Sequence, residues 1–156
     1  VLITGGEPFI QPEIPDLIRA LSDAVFIVDV ETNGTLSIPE DLVYCTRYIV
    51  VSPKKGYPIS RSILDEISQH VYWKFVVGPR PWMWTISQIN EFIDRYEIEP
   101  DIVYLMPYDD NQNSSEVWKY CLIYGYNYSD RLQYIHNSCY SILSQCFQHS
   151  NKGTED

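Results

Sequence analysis

The sequence is poor in basic residues. Eleven Lys and Arg stand against twenty-one Asp and Glu, for a formal charge of −10. Phosphate neutralisation needs clustered cations, and no basic stripe exists, so composition argues against a nucleic-acid binder. It still allows an anionic small substrate, because a few local cations can serve a pocket inside an acidic protein. Apolar runs are short. None approaches the ~20 residues that a transmembrane helix needs, and no signal peptide is visible. Cysteine is sparse and poorly spaced for metal: Cys45, Cys121, Cys139 and Cys146 form no CxxC pair. The expectation is buried, reduced thiols, with Cys139 and Cys146 on one face if that stretch is helical. Internal repeats, low-complexity segments and linkers are absent. So are GxGxxG, a glycine loop ending in Lys-Ser/Thr, and a Ser-His-Asp set, which removes the nucleotide fingerprints and the usual nucleophile.

What is present is enough for one domain. The chain has 156 residues, 45% of them apolar and 14% aromatic, so it can bury a core. It opens at Val1 rather than Met, so Val1 is not read as the first residue of the natural protein. The expected division is a folded unit over 1–148 and a polar, disordered tail over 149–156.

Short β-rich runs alternate with helical patterns. Val1–Ile3 is the first run. Ile14, Leu17, Ile18 and Leu21 give a helix over Glu13–Ser22, with Pro12 and Glu13 in its first turn. A strand over Val25–Val30 follows, then ETNG as a turn and a short helix over Pro39–Tyr44. The strand Tyr48–Val51 ends at SPKKG. A helix over Arg61–Gln69 leads into the strand Tyr72–Val77, which Gly78, Pro79 and Pro81 break. Thr85 and Gln88 read as a capping box for a helix bearing Ile86, Ile89, Phe92, Ile93 and Tyr96. Asp101–Leu105 is a strand, and Asn113 with Glu116 signals another helix start. RLQYIH reads as a sixth strand before a helix over Ser138–Gln148. Six β-α repeats with strands apolar on both faces predict an α/β fold, a parallel sheet covered by helices.

The polar and Gly-rich residues fall where strands end: TGGE, ETNG, SPKK and MPYDD. In parallel α/β folds the ligand side is the carboxyl edge of the strands. Gly5 and Gly6 let the backbone approach a ligand, and Glu7 either accepts from an ammonium or fixes the loop. GGEP as a plain βα turn stays open. Asn33-Gly34 is equally an ordinary turn pair. Ser52, Pro53 and Lys54 offer a hydroxyl, a bend and a cation to a carboxylate or ribose, or Lys54 and Lys55 are a solvated pair. His136 suits general-acid work or an inert hydrogen-bonded role. Asp109 and Asp110 suit a metal ion or a loop before a helix cap.

The ordered set TGGEP, ETNGT, VSPK, WKFVV, YLMP and RLQYIH resembles the radical S-adenosylmethionine enzymes of the 7-carboxy-7-deazaguanine synthase family, over most of residues 1–136. That resemblance implies a partial (β/α)6 barrel and a cytoplasmic carbon–nitrogen lyase. Its reaction would convert 6-carboxy-5,6,7,8-tetrahydropterin to 7-carboxy-7-deazaguanine, by reductive cleavage of S-adenosylmethionine to a 5′-deoxyadenosyl radical, hydrogen abstraction and ring contraction. It implies S-adenosylmethionine, a [4Fe-4S] cluster and Mg2+ as cofactors, a reductant such as flavodoxin or ferredoxin, and leaves a homodimer open. Carried over by motif, Gly5, Gly6 and Glu7 hold the methionyl amino group. Glu31, Thr32 and Asn33 match the turn at the site. Ser52, Pro53 and Lys54, and Met106, Pro107, Tyr108 and Asp109, line the cofactor. Thr4 and His136 touch substrate.

Departures accompany the match. The family's CxxxCxxC cluster motif, which precedes GGE, is not in this chain, and the magnesium position beside it is missing too. No metal ligand is therefore assigned. Met106 stands where Gln is common, and RLQYIHN departs from the usual Gln-x-His-Lys ending. The chain also runs on well past His136. Without three thiolates a cluster has no protein ligands. The expectation is a piece of a longer enzyme, without its first βα unit and inactive alone. The alternatives are another radical S-adenosylmethionine enzyme, such as a glycyl-radical activase, and a non-catalytic binding or scaffold module.

Overall fold

The computed structural model describes residues 1–67, 70–108 and 113–129. Six strands form one sheet: β1 (Leu2–Ile3), β2 (Asp29–Thr32), β3 (Tyr48–Val51), β4 (Val71–Val77), β5 (Val103–Pro107) and β6 (Asn127–Tyr128). Every neighbouring pair is parallel, and the strands lie side by side in chain order. The helices between them are α1 (Ile14–Asp23), α2 (Leu42–Cys45), α3 (Ile86–Tyr96) and α4 (Ser114–Tyr124). The expected α/β class with a parallel six-stranded sheet is what the chain adopts.

Strand side chains alternate, and one face takes the core. On β4, Val71, Trp73, Phe75 and Val77 are buried while Tyr72, Lys74 and Val76 are half-buried. Val30, Val51, Trp73, Phe75, Val103 and Leu105 join Ile18 of α1, Ile89 and Ile93 of α3 and Val117 of α4 in one apolar cluster. Phe92 of α3 sets its ring edge-on to both Trp73 and Phe75, with centroids 5.6 and 5.4 Å away. Truncating a ring of this kind costs about 3–5 kcal/mol. The opposite face carries no described helix. Exposed Tyr48 and the partly buried Tyr72, Lys74 and Tyr104 line this second face.

Several boundaries differ from the expectation for local reasons. The strand expected over Val25–Val30 begins only at Asp29. Val25 leaves α1 at φ 65, its N–H bonded to Ser22, and Val25, Phe26 and Ile27 are exposed. Val28 is buried, and pairing starts at Asp29. Glu31 and Thr32 of ETNG are therefore strand residues, and the turn proper is Asn33-Gly34. The segment after Arg61 forms one π-helical turn, Ser62–Glu66. Pro100–Ile102 is a 3-10 turn, so β5 begins at Val103 and runs to Pro107. The capping box at Thr85 and Gln88 is formed as expected. Asn113 instead sends its side-chain N–H to Val77 O (2.9 Å), and Glu116 accepts from Tyr120 (2.6 Å). The sixth strand of the described residues is Asn127–Tyr128. RLQYIH, the helix expected over Ser138–Gln148, and Asp109, Asp110, His136, Cys139 and Cys146 lie outside the described residues.

Candidate functional site

The carboxyl ends of β1 to β3 are joined by one buried hydrogen-bond network centred on Glu7. Glu7 is 9% exposed. Oε1 accepts from Thr32 Oγ1 (2.7 Å) and from the Phe9 N–H (3.3 Å), and Oε2 accepts from the Asn33 N–H (2.7 Å). Glu7 thereby caps the 3-10 turn Pro8–Ile10 and ties the β1 loop to the end of β2. Of the two roles open for it in the sequence, loop fixation is directly visible. Three accepted bonds leave one of its roughly four lone-pair sites for a ligand donor.

The ETNG turn is equally determined. Thr32 Oγ1 accepts from the Gly34 N–H (3.1 Å). Asn33 Oδ1 accepts from the Thr35 N–H (2.8 Å) and Oγ1 (2.7 Å), closing an Asx turn. Gly34 sits at φ 79, and a Cβ there would meet Val51 Cγ1 at 2.7 Å. The ordinary-turn reading of Asn33-Gly34 therefore holds for these backbone contacts. Ser52 follows, buried, its N–H bonded to Thr32 O (2.7 Å).

The rim continues through a residue that the sequence reading passed over. Trp84 Nε1 donates to Pro53 O (2.9 Å), while its backbone N–H bonds Val76 O (3.1 Å). Tyr108, at the end of β5, bonds Val77 O through its N–H (2.9 Å). Nothing in the local sequence marks Trp84, because its role depends on a loop 31 residues upstream. A cavity of about 540 Å³ opens where β4 and β5 end, lined by Gly78, Arg80, Trp84, Tyr108, Asn113 and Tyr120 among others.

Gly5 and Gly6 differ from Gly34. A Cβ built on either meets nothing within 4 Å, and Gly5 lies at φ 138. Their backbone thus borders open space at the carboxyl edge, beside exposed Thr4 and the Glu7 network. Bare backbone beside a held carboxylate leaves N–H, C=O and acceptor groups open to a polar ligand. Lys54 is exposed, while Pro53 and Pro107 are buried and Met106 is half-buried. Of the cofactor residues inferred from the resemblance, the structure brings Glu7, Thr32, Asn33 and Ser52 into direct contact. Glu31 turns the other way, onto the helix-free face, where Lys74 Nζ lies 2.6 Å from its Oε1. The pair spans the face across β3, beside a cavity of about 350 Å³ lined by Tyr48, Val50, Tyr72, Lys74, Tyr104 and Ser129. Tyr48, Tyr72 and Tyr104 form an edge-to-face ladder along it, at 5.4 and 5.8 Å. Alternation in WKFVV holds the signal for Lys74, since Trp73 and Phe75 must face the core.

A cluster is a different matter. Among the described residues no three His, Cys, Asp or Glu converge to hold a metal ion. Cys45 and Cys121 are free thiols on separate helices. Burial pushes the Cys121 thiol up to about 11, which suits an inert packing group. These residues do not fit an iron–sulfur cluster or a bound cation. No described helix is long and apolar enough to cross a membrane.

No protein-family model matches the chain. It is similar to curated proteins named 7-carboxy-7-deazaguanine synthase. The relative from Rhodopirellula baltica is 30% identical over 155 residues, which cover 85% of this chain and 59% of the relative. That from Methanospirillum hungatei is 38% identical over 82 residues, covering 50% and 34%. That from Rickettsia prowazekii is 50% identical over 74 residues, covering 44% and 29%. The chain thus spans between about three tenths and three fifths of these relatives' length. Two solved structures share the fold across 84% of the chain. Escherichia coli QueE does so at TM-score 0.59 and 23% identity over 55% of its own chain. Streptococcus suis SuiB, bound to S-adenosylmethionine, does so at TM-score 0.58 and 19% identity over 37% of its own. By sequence the chain is similar to the 7-carboxy-7-deazaguanine synthases over most of its length, and by fold to QueE and SuiB.

Proposed function

We propose that this chain forms the S-adenosylmethionine and substrate side of a 7-carboxy-7-deazaguanine synthase, acting on 6-carboxy-5,6,7,8-tetrahydropterin. The observation that carries the reading is the continuous rim from Gly5-Gly6 through Glu7, Thr32, Asn33 and Ser52, with open space against the glycines. The Gly5 and Gly6 backbone, with the spare acceptor capacity of Glu7, takes the methionyl amino group. Ser52, Pro53 and exposed Lys54 border the same ligand. The end of β5, at Met106, Pro107 and Tyr108, takes its other end. S-adenosylmethionine supplies the hydrogen-abstracting chemistry when bound.

The substrate side is the helix-free face with Thr4 at its rim. A carboxylated bicyclic heterocycle needs a cation for its carboxylate and acceptors for its ring N–H groups. Lys74 and Glu31 offer both, and the half-exposed tyrosines offer flat apolar walls. His136 and Asp109, which the resemblance assigns to substrate and cofactor, lie outside the described residues. A cluster, Mg2+ and a reductant go with this reading, and no described residue is assigned to hold them. The reaction is a carbon–nitrogen lyase step.

Anaerobic incubation of the gene product that carries this chain tests the reading, with S-adenosylmethionine, a reductant and the carboxypterin supplied. Mass spectrometry should find 7-carboxy-7-deazaguanine. Cleavage of S-adenosylmethionine without that product would transfer the chain to another reaction of the same chemistry. Absence of any S-adenosylmethionine binding would leave a scaffold.

A further inference from the structure

Asn33-Gly34 is a pair with a reaction of its own. A glycine after an asparagine lets the main-chain nitrogen reach the side-chain amide, because no Cβ stands in the way. The Gly34 nitrogen attacks Asn33 Cγ, a C–N bond forms, and the bond from Cγ to Nδ2 breaks. The Gly34 amide proton, passed through water, ends on the departing Nδ2, which leaves as ammonia. The product is a cyclic succinimide. Water opens it at either carbonyl, giving aspartate or isoaspartate, and no oxidant or reductant takes part.

In the folded chain the groups that must move are held. The Gly34 N–H, whose proton has to leave, donates to Thr32 Oγ1 (3.1 Å), and Thr32 Oγ1 donates in turn to Glu7 Oε1 (2.7 Å). The Asn33 N–H donates to Glu7 Oε2 (2.7 Å). Asn33 Oδ1 accepts from the Thr35 N–H and hydroxyl, at 2.8 and 2.7 Å, so the amide that would be attacked is fixed in rotation. Gly34 O accepts from the Ser60 N–H (2.8 Å). Gly34 itself is buried at φ 79, with Val51 and Ile59 filling the space beside its Cα. A succinimide nitrogen carries no hydrogen, so ring closure forfeits the bond to Thr32 outright, and a buried acceptor that loses its donor is costly.

We propose that Asn33 is a latent site of succinimide-forming deamidation, held shut by the bonds that Glu7, Thr32 and Thr35 make to the turn. Reaction waits on local opening of that turn. Either product leaves a carboxylate at position 33 beside the carboxylate of Glu7, where like charges repel. Isoaspartate also inserts a methylene into the main chain, so the two N–H groups of the turn no longer match Glu7 and Thr32 together. The modification therefore undoes the tie between the β1 loop and the end of β2, and with it the setting of Gly5 and Gly6.

Ageing the full chain at mildly alkaline pH tests this, with conversion at Asn33 read by peptide mass spectrometry and by isoaspartate-specific methylation. The native chain should convert at least about tenfold more slowly than the same chain in denaturant, because the turn must open before it reacts. Hydrogen exchange at the Gly34 amide should be slowed by a similar factor, since one opening governs both. Thr32→Val removes the acceptor of the Gly34 N–H. It should speed conversion at least about threefold over a core variant, Ile89→Val or Ile89→Ala, matched to it in stability. Asn33 that converts as fast in the native chain as in denaturant would overturn the proposal, and so would an Asn33 that stays intact in denaturant. Equal acceleration by the matched core variant would also overturn it, because protection would then belong to the whole fold and not to the turn. If Thr32→Val fails to fold, Thr35→Ala, which removes a donor to Asn33 Oδ1, takes its place in the same comparison, and the agreement between native conversion and Gly34 exchange still decides.

Discussion

Glu7 and Thr32 meet at 2.7 Å, carboxylate to hydroxyl, inside the rim where β1 and β2 end. They are 25 residues apart in the chain, and their bond sets how the glycine pair stands over the sheet. Replacing Glu7 by Gln keeps the shape, but turns an amide N–H towards either Thr32 or Asn33. The expected cost is about 1–3 kcal/mol, the usual result of a buried polar group losing its partner. Thr32→Val should cost a similar amount. Urea denaturation of both single variants and the double variant checks the pair: the double should cost clearly less than the sum.

Glycines on this edge separate into two kinds. Gly34→Ala should destabilise by about 1–3 kcal/mol, because its Cβ would overlap Val51 at a left-handed φ. Gly6→Ala meets nothing and has no left-handed φ, so its melting temperature should match the parent, within about 0.5 kcal/mol of stability. Calorimetric melting of the two variants shows the contrast without reference to any ligand.

The Arg47–Asp29 pair gives a pH dependence. Arg47 Nε donates to Asp29 Oδ1 at 2.9 Å, and this bond holds the Asp29 carboxyl below its ordinary value. A depressed folded value means that the unfolded chain binds the proton first as pH falls. The pair's contribution is therefore complete above about pH 4, near the unfolded carboxyl value, and is lost as pH drops through the lower folded value. Stability measured from pH 6 down to pH 2 should fall less steeply for Arg47→Gln than for the parent, with the difference confined to the acid end. Partial exposure of both side chains keeps the effect small.

Lys74 and Glu31 test the helix-free face. Lys74→Met strands a partly buried carboxylate and should cost about 1–2 kcal/mol. Adding Glu31→Gln should return part of that loss. In the proposed synthase, Lys74→Met should also raise KM for the carboxypterin more than it lowers kcat, the pattern expected when a binding contact is lost. Steady-state kinetics beside denaturation separates the two effects.

Much of this was legible in the sequence where signal is local. Tyr48–Val51 reads as a strand because its apolar run is bounded on both sides, and Thr85 with Gln88 reads as a cap because the motif is complete within four residues. The carboxyl-edge placement of TGGE, ETNG, SPK and MPY followed from strand order alone. The misread pieces depend on tertiary partners. Val25–Ile27 are apolar enough for a strand, yet they serve to leave α1, and only a neighbour's register shows that pairing begins at Asp29. Glu31 and Thr32 are adjacent in one motif but point to opposite faces, one to Lys74 and the other to Glu7. Trp84 could not be seen as a rim residue, since its bond to Pro53 crosses between loops.

The most direct test of the central claim is product formation by the wild-type gene product and its Gly6→Ala variant, side by side, under anaerobic reducing conditions with S-adenosylmethionine and the carboxypterin. The account predicts 7-carboxy-7-deazaguanine from the wild type, and a loss of at least about tenfold in the variant at unchanged melting temperature, about 1.4 kcal/mol of lost binding or transition-state stabilisation. Product formed equally well by a folded Gly6→Ala variant, or no such product from the wild type, would contradict it.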